Sequence, residues 1–235
     1  MTTIATAQKE AQSTAASEIE AVISDYGKVL TEFQEKSRAL PREEQHEFYR
    51  SNYPDGAESV AAMEKLIAAH PEEPAIVDGI VFIARITRLA GIKSDYFKPL
   101  AEHHLDHDKL AELLPLLGYR PTEESTQFLE TVRTKTKSKP NKGAALYSTS
   151  LVLKRDPNRM KEYEEVLKTL TTEHLDLKIG RREVVKAIVA EREATKNFAI
   201  GKVAPEIVGK DVDGKEMKLT DYRGKVVVLD FWGDW

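Results

Sequence analysis

Apolar positions recur three and four residues apart along most of this chain and turn into short β-type runs only near its end. From about Ala7 to Ala39, residues Ile19, Val22, Ile23, Tyr26, Val29, Leu30 and Phe33 place one stripe on a long helix. The Ala-, Ser-, Thr- and Gln-rich stretch before Ile19 has little surface to bury, so residues 1–18 are expected to fray or remain disordered. The stripe is too short for a sustained coiled coil, and packing onto the following helices is favoured. Pro41, with acids behind it, opens a short helix to Tyr49. Tyr53-Pro-Asp-Gly56 breaks that helix. Asp55 is placed to cap another over Ala57–Ala69, with Val60, Met63, Leu66 and Ile67 inward. The stretch from Pro74 to Ala90 carries an apolar face so wide, Ile76 to Ile86, that it predicts a central helix stopped by Gly91.

Ser94–Leu117 reads as two short helices around Leu105-Asp-His-Asp108, and Thr122 to about Val132 follows. Asn141 is expected to cap a helix to about Lys154, Pro157 to start one to about Thr172, and Arg181–Phe198 to form the last. About nine helices joined by brief Pro or Gly turns predict antiparallel hairpins, stacked as an irregular bundle or a tetratricopeptide-like solenoid. That comparison concerns shape only, because Thr122–Asp156 and Pro157–Phe198 share no repeat signature.

Beyond Ala199 the period changes. Val203–Val208 and Glu216–Leu219 flank Asp213-Gly214, a hairpin signal whose two-residue turn would place both central residues at positive φ. A turn over Thr220–Lys225 leads to Val226–Leu229, an unbroken β-branched and aliphatic run suited to a strand covered on both faces. Asp230 follows directly, ahead of Phe231 and Trp232. A carboxylate delivered into or beside a core costs several kcal/mol if unpaired, or shifts its pKa upward, so Asp230 is the leading candidate for chemistry.

Three signatures occur in order: Ile200-Gly-Lys-Val-Ala-Pro-Glu-Ile207, Asp211-Val-Asp-Gly-Lys215, and Leu219-Thr-Asp-Tyr-Arg-Gly-Lys-Val-Val-Val-Leu-Asp-Phe-Trp-Gly-Asp-Trp235. Together Phe198–Trp235 resembles the opening of a thioredoxin-fold redoxin domain of the TlpA or AhpC/TSA type, in which a Cys-Gly-Pro-Cys motif comes next. The resemblance implies a mainly α chain whose helical domain leads into an incomplete thioredoxin-like α/β domain, a hairpin plus one central strand. It implies that Asp230 lies beneath a dithiol and helps move its proton, because the thiolate is the attacking species. Trp232 and Trp235 would flank the motif, Trp235 directly before the nucleophile, with Gly233 allowing a close turn and Asp234 beside it.

The sequence contains no cysteine, so the chain is expected to be a fragment of a thiol-disulfide oxidoreductase that stops before the motif and is inactive as it stands. A single cysteine downstream would instead imply a peroxidatic redoxin. The resemblance implies protein dithiols or disulfides as partners, no cofactor, and an exported or periplasmic setting, although the first residues lack a basic region followed by an apolar core. The rival class is a helical-repeat interaction scaffold with a vestigial redoxin end. Expected divisions are 1–18, 19–198 and 199–235.

Composition narrows these readings. With 235 residues and 41% apolar content, one large or two smaller domains are possible. Net charge −4, from 35 basic against 39 acidic residues, gives no indication of a nucleic-acid or anionic-membrane partner. No run approaches the roughly 18 apolar residues of a spanning helix. In Glu102-His-His-Leu-Asp-His-Asp108, His103 with His107 and His104 with Asp108 have metal-ligand spacing, but further ligands are not identifiable and a solvated helix end is preferred. Arg133, Lys135, Lys137, Lys139 and Lys142 likewise read as a solvated helix end and loop rather than a nucleic-acid site, because no aromatic platform accompanies them.

Overall fold

A computed structural model describes residues 2–197 and 200–230, without the side chains of residues 2–13 and 197. The chain divides into two compact units, residues 1–186 and 187–235. Among the described residues it is mainly α, with ten α-helices and two small antiparallel hairpins.

The first unit begins with α1 (Thr2–Ala39), whose backbone is helical through residues 2–18, where fraying was expected. Ile19, Tyr26 and Phe33, seven residues apart, are buried, while Val29 faces outward. Phe33 anchors α2 (Arg42–Asn52), its ring lying 5.4 Å from Phe48, 5.2 Å from Tyr49 and 5.5 Å from Tyr53. Gly56, at φ 69°, precedes α3 (Ala57–Ala69), and the Asp55 carboxylate accepts from the Ala57 amide at 3.0 Å as expected. Helix α4 (Ile76–Ile86) is central and ends before the anticipated Gly91. Leu89 turns left-handed at φ 74°, its amide bonding the Ala84 carbonyl at 2.9 Å, and the Thr87 hydroxyl accepts from the Gly91 amide at 2.9 Å. Helix termination by such backbone and side-chain bonds does not require Gly at the left-handed position.

Next come a 3-10 turn (Ser94–Tyr96), α5 (Phe97–His103), α6 (Leu110–Tyr119) and α7 (Glu123–Lys135). Thr122 and Ser125 close a capping box at the start of α7. Helix α8 (Lys139–Leu153) is the most enclosed element, with ten residues buried. Its cap is Ser138 rather than Asn141: the Ser138 hydroxyl accepts from the Asn141 amide at 3.4 Å. Asn141 is fully buried one turn in, and its Nδ2 donates to the carbonyls of Leu105 at 2.9 Å and His107 at 3.0 Å. The Asp106 carboxylate answers from the other side, accepting from the Thr136 hydroxyl at 2.7 Å and from the Lys137 and Ser138 amides at 2.7 and 3.1 Å. The turn after α5 and the turn before α8 are thereby tied together. Lower down, α6 meets α8 at Gly118, where a Cβ would stand 2.9 Å from both the Cα and the carbonyl oxygen of Ser148.

A 3-10 turn (Pro157–Arg159) leads into α9 (Met160–Glu173). A small pair, β1 (Lys178–Ile179) and β2 (Arg182–Glu183), then precedes α10 (Val184–Asn197), in place of a helix from Arg181. Gly180 at φ 60° makes the reversal. Three helices of this unit share one ending: the amides of His70, His104 and His174 bond the carbonyls of Leu66, Leu100 and Leu170 at 3.0, 3.1 and 3.0 Å. Each His carbonyl then accepts from the residue three further on. The Leu-x3-His spacing is a local repetition that a search for long periods misses.

In the second unit, β3 (Val208–Lys210) pairs with β4 (Glu216–Lys218) in the register Val208↔Lys218, Gly209↔Met217 and Lys210↔Glu216. The hairpin forms where expected, but with a different turn. Only Gly214 takes positive φ, 79°, and the Asp211 carboxylate organises a five-residue loop by accepting from the amides of Asp213 and Lys215 at 3.0 and 2.9 Å.

Two substitutions test the packing of the first unit. Gly118→Val should cost about 2–3 kcal/mol by driving α6 off α8. Asn141→Ala should cost about 1–2 kcal/mol by removing the two side-chain hydrogen bonds that tie the turn after α5 to α8, the Leu105 and His107 carbonyls keeping their bonds from the Thr136 hydroxyl and the Leu110 amide. Urea unfolding at constant m-value measures both, and wild-type midpoints would refute them.

Candidate functional site

The residues around the redoxin-like signatures are organised by one carboxylate. Glu206 Oε2 accepts from the Thr220 hydroxyl at 2.5 Å, and Oε1 accepts from the Thr220 and Ile207 amides at 3.1 and 3.2 Å. The Leu219 amide bonds the Ile207 carbonyl at 2.9 Å, and Asp221 accepts from the Lys218 amide at 2.9 Å. A 3-10 turn (Leu219–Tyr222) is thus fastened to the start of β3, and Gly224 at φ 82° redirects the chain toward Val226. The Thr220 hydroxyl, followed by the amide bonds, holds the Glu206 carboxyl below the usual glutamate range. Sequence reasoning quoted Glu206 within a signature but gave it no role. Its signal was a lone acid next to Pro205, too common to single out.

Val226–Asp230 belongs to no regular element, so the expected strand finds no ladder partner among the described residues. Its exposure alternates, Val226 at 99% and Val228 at 87% against Val227 at 40% and Leu229 at 48%. That alternation is the two-face pattern of a strand without its sheet. Asp230 is exposed rather than enclosed beside a core. Trp232, Gly233, Asp234 and Trp235 lie outside the described residues. What the structure places is therefore the hairpin, the fastened turn and the run ending at Asp230.

The other candidate clusters disperse. His104 is buried, not solvated as expected, and its ring Nε2 lies 2.9 Å from the Pro71 carbonyl oxygen. Burial pulls its pKa below the ordinary histidine value. His103 remains exposed, 3.9 Å from the Glu102 carboxylate. Asp106 is committed to the α7–α8 connection, and the His107 Nδ1 accepts from the Lys109 amide at 3.3 Å. Among the described residues no three His, Cys, Asp or Glu side chains converge as metal ligands. Of the basic run, Arg133 is paired with Glu130 at 2.5 Å on α7. A groove of about 440 Å³ between α7 and α9 carries Arg133 and Arg159, each neutralised by a neighbouring glutamate.

Comparison with known proteins finds short matches. Over 37 residues the chain is 57% identical to the thiol-disulfide oxidoreductase ResA of Geobacillus thermodenitrificans, a stretch covering 16% of this chain and 21% of that protein. It is 53% identical over 36 residues to ResA of Bacillus anthracis, 15% of this chain and 21% of that protein, and 38% identical over 52 residues to ResA of Bacillus subtilis, 22% and 27% respectively. The chain spans about a fifth to a quarter of the length of these curated relatives. No family model matches, and no solved structure matches. This partial similarity supports a thiol-disulfide oxidoreductase-like segment attached to a helical unit. Among the described residues no helix is long and apolar enough to cross a membrane.

The Glu206 anchor predicts an acid-sensitive turn. A carboxyl held below its ordinary value of 4.5 contributes stability that is present above that value and lost as pH falls through the depressed one. Amide exchange over residues 207–222 should therefore accelerate below about pH 4.5, and Glu206→Gln should remove that pH step. A step retained in Glu206→Gln would show that another group sets it.

Proposed function

We propose that this chain is the helical domain, residues 19–198, and the first part of the redoxin domain, from residue 199, of a thiol-disulfide oxidoreductase of the TlpA type. The observation that carries the reading is the 57% identity over 37 residues to a thiol-disulfide oxidoreductase, together with the three ordered signatures between Ile200 and Trp235. The chemistry it would serve is exchange between a dithiol and a protein disulfide. A thiolate attacks one sulfur of the disulfide, a mixed disulfide forms, and the second thiolate resolves it as the partner's thiol leaves. Both sulfurs of the enzyme are missing here, since the sequence holds no cysteine, so the 235-residue chain cannot perform either step.

Within this reading Asp230 supports proton transfer beneath the dithiol, and Trp232, Gly233, Asp234 and Trp235 flank the active site. Substrates are protein thiols and disulfides, and the setting is extracytoplasmic, where such bonds persist. The packed first unit, residues 1–186, favours a second role for the helices as a platform for those substrates or for redox partners.

Insulin reduction tests the assignment on this chain and on one extended past Trp235 by a complete redoxin domain with a Cys-Gly-Pro-Cys motif. The short chain should show no turnover, and the extended one should be active. Asp230→Asn in the extended chain should slow exchange by about a hundredfold near neutral pH, the ordinary contribution of a positioned general base. Turnover by the short chain would overturn the assignment. An inactive extended chain that folds would leave the scaffold role in its place. Exposed Val226–Leu229 should also make the short chain self-associate in sedimentation measurements, with the extension restoring a monomer.

A further inference from the structure

His174 is a buried titratable group that the redoxin reading does not use. It ends α9, and its ring is seated on α8 where residue 143 is glycine: a Cβ there would stand 2.7 Å from the His174 Nδ1 and 3.2 Å from Leu177 Cδ1. Only 3% of the residue is exposed, and Nε2 has no hydrogen-bond partner among the described residues. From α8 it is acted on by the ammonium groups of Lys139 and Lys142, and from its own segment by the carboxylates of Glu173 and Asp176. The chain leading out of α9 hangs on this turn. The Leu177 amide bonds the His174 carbonyl at 2.9 Å, the Val184 amide bonds the Leu177 carbonyl at 3.3 Å, and β1 pairs with β2. Val184 and Val185 are then buried as α10 begins.

We propose that His174 is a proton-operated latch: the uncharged ring holds the α9–β1–β2–α10 connection closed, and protonation releases that connection while the rest of the helical unit stays folded. The reason lies in what each form of the ring requires. A neutral imidazole has one N–H and one lone pair, whereas imidazolium must donate from both nitrogens. In the closed seat Nε2 has no protein acceptor among the described residues, and a buried charge would be favoured by Glu173 and Asp176 but opposed by burial and by Lys139 and Lys142. Opening gives both nitrogens to solvent. His104 is a natural contrast, since it is also buried but its Nε2 is within hydrogen-bond distance of the Pro71 carbonyl. The proposal rests on the helical unit alone and stands or falls independently of the redoxin reading.

The direction with pH follows from linkage. Burial places the closed-state pKa below the ordinary histidine value of 6.5, with Lys139 and Lys142 adding to the depression and Glu173 and Asp176 opposing it. Above 6.5 both states are unprotonated and opening is independent of pH. Below it the open state binds one more proton, and opening gains up to about tenfold per pH unit until the closed-state value is reached.

Hydrogen exchange of the full chain from pH 7.5 to 5.5, corrected for intrinsic rates, reads this directly. Protection over residues 174–186 should fall up to about tenfold per pH unit below 6.5 while α3 to α8 keep theirs. His174→Gln should make that segment insensitive to pH. Lys142→Met leaves the ring in place and removes a like charge, which raises the closed-state pKa, so the loss should still begin near 6.5 but level off at higher pH and be smaller. Uniform loss across the unit, no pH step at 174–186, a step retained in His174→Gln, or a step undiminished in Lys142→Met would each overturn the latch. So would a His174 ring resonance that titrates near 6.5 while the segment remains protected.

Discussion

The close approach of α6 to α8 at Gly118 and Ser148 sets the spacing of the helical unit. With no side chain at 118, the two backbones come near enough for the Ser148 hydroxyl to bond the carbonyls of Leu114 and Ala144, at 2.8 and 2.7 Å. Pro115 sits inside α6 beside this crossing and donates no amide, so the turn is held by packing and by the partner helix. Because α8 is drawn in this far, ten of its residues are enclosed, and α7 and α9 close over its remaining sides. Its buried surface is accordingly rich in small residues, Gly143, Ala144 and Ala145, rather than in large aliphatic ones.

Burying a helix that completely leaves its polar ends to be satisfied inside the protein, and the loops do this. Asn141 serves the carbonyls of Leu105 and His107 while Asp106 serves the amides before α8, so one loop supplies acceptors to the next and receives donors from it. This set of bonds, all donated by residues 136–141 to acceptors on residues 105–107, fixes a register between hairpins that apolar contact alone would leave free to slide. The Leu-x3-His endings have a related effect. Each stops a helix by backbone bonds, and His104 and His174 tuck an aromatic ring into the interior, where burial lowers the pKa of both. An element closed by a neutral buried histidine is stable at neutral pH and vulnerable to acid, which gives the unit a built-in sensitivity that its apolar core lacks.

The second unit follows the opposite logic. Its local bonds are complete: Asp211 shapes the loop, Glu206 fastens the turn and Gly224 aims the chain. Its apolar residues are not covered, and Val203, Val226 and Val228 stand largely in solvent. Local hydrogen bonds can specify a hairpin and a turn, but a central strand depends on neighbours for both its ladder and its cover.

How much of this was legible in the sequence depends on the range of the interaction concerned. Helix positions came through because a 3.6-residue period reports one buried face, as Ile19, Tyr26 and Phe33 show, and Asp55 was found because its carboxylate acts only two residues along the chain. The hairpin at Asp213-Gly214 was legible too, although its turn type was not, because Asp211 reorganised the loop from two residues away. The candidate site could be named from an ordered set of signatures, but of its residues the structure describes only Asp230, which is exposed. The functions of Glu206, Asn141 and His174 were not legible, since each depends on a partner 14, 36 or 31 positions distant: Thr220, Leu105 and Gly143. Sequence alone determined the elements and their order, because those follow from neighbours along the chain. Tertiary structure decided which polar groups were buried and what they bonded, because desolvation depends on everything that surrounds a group and not on the residues beside it.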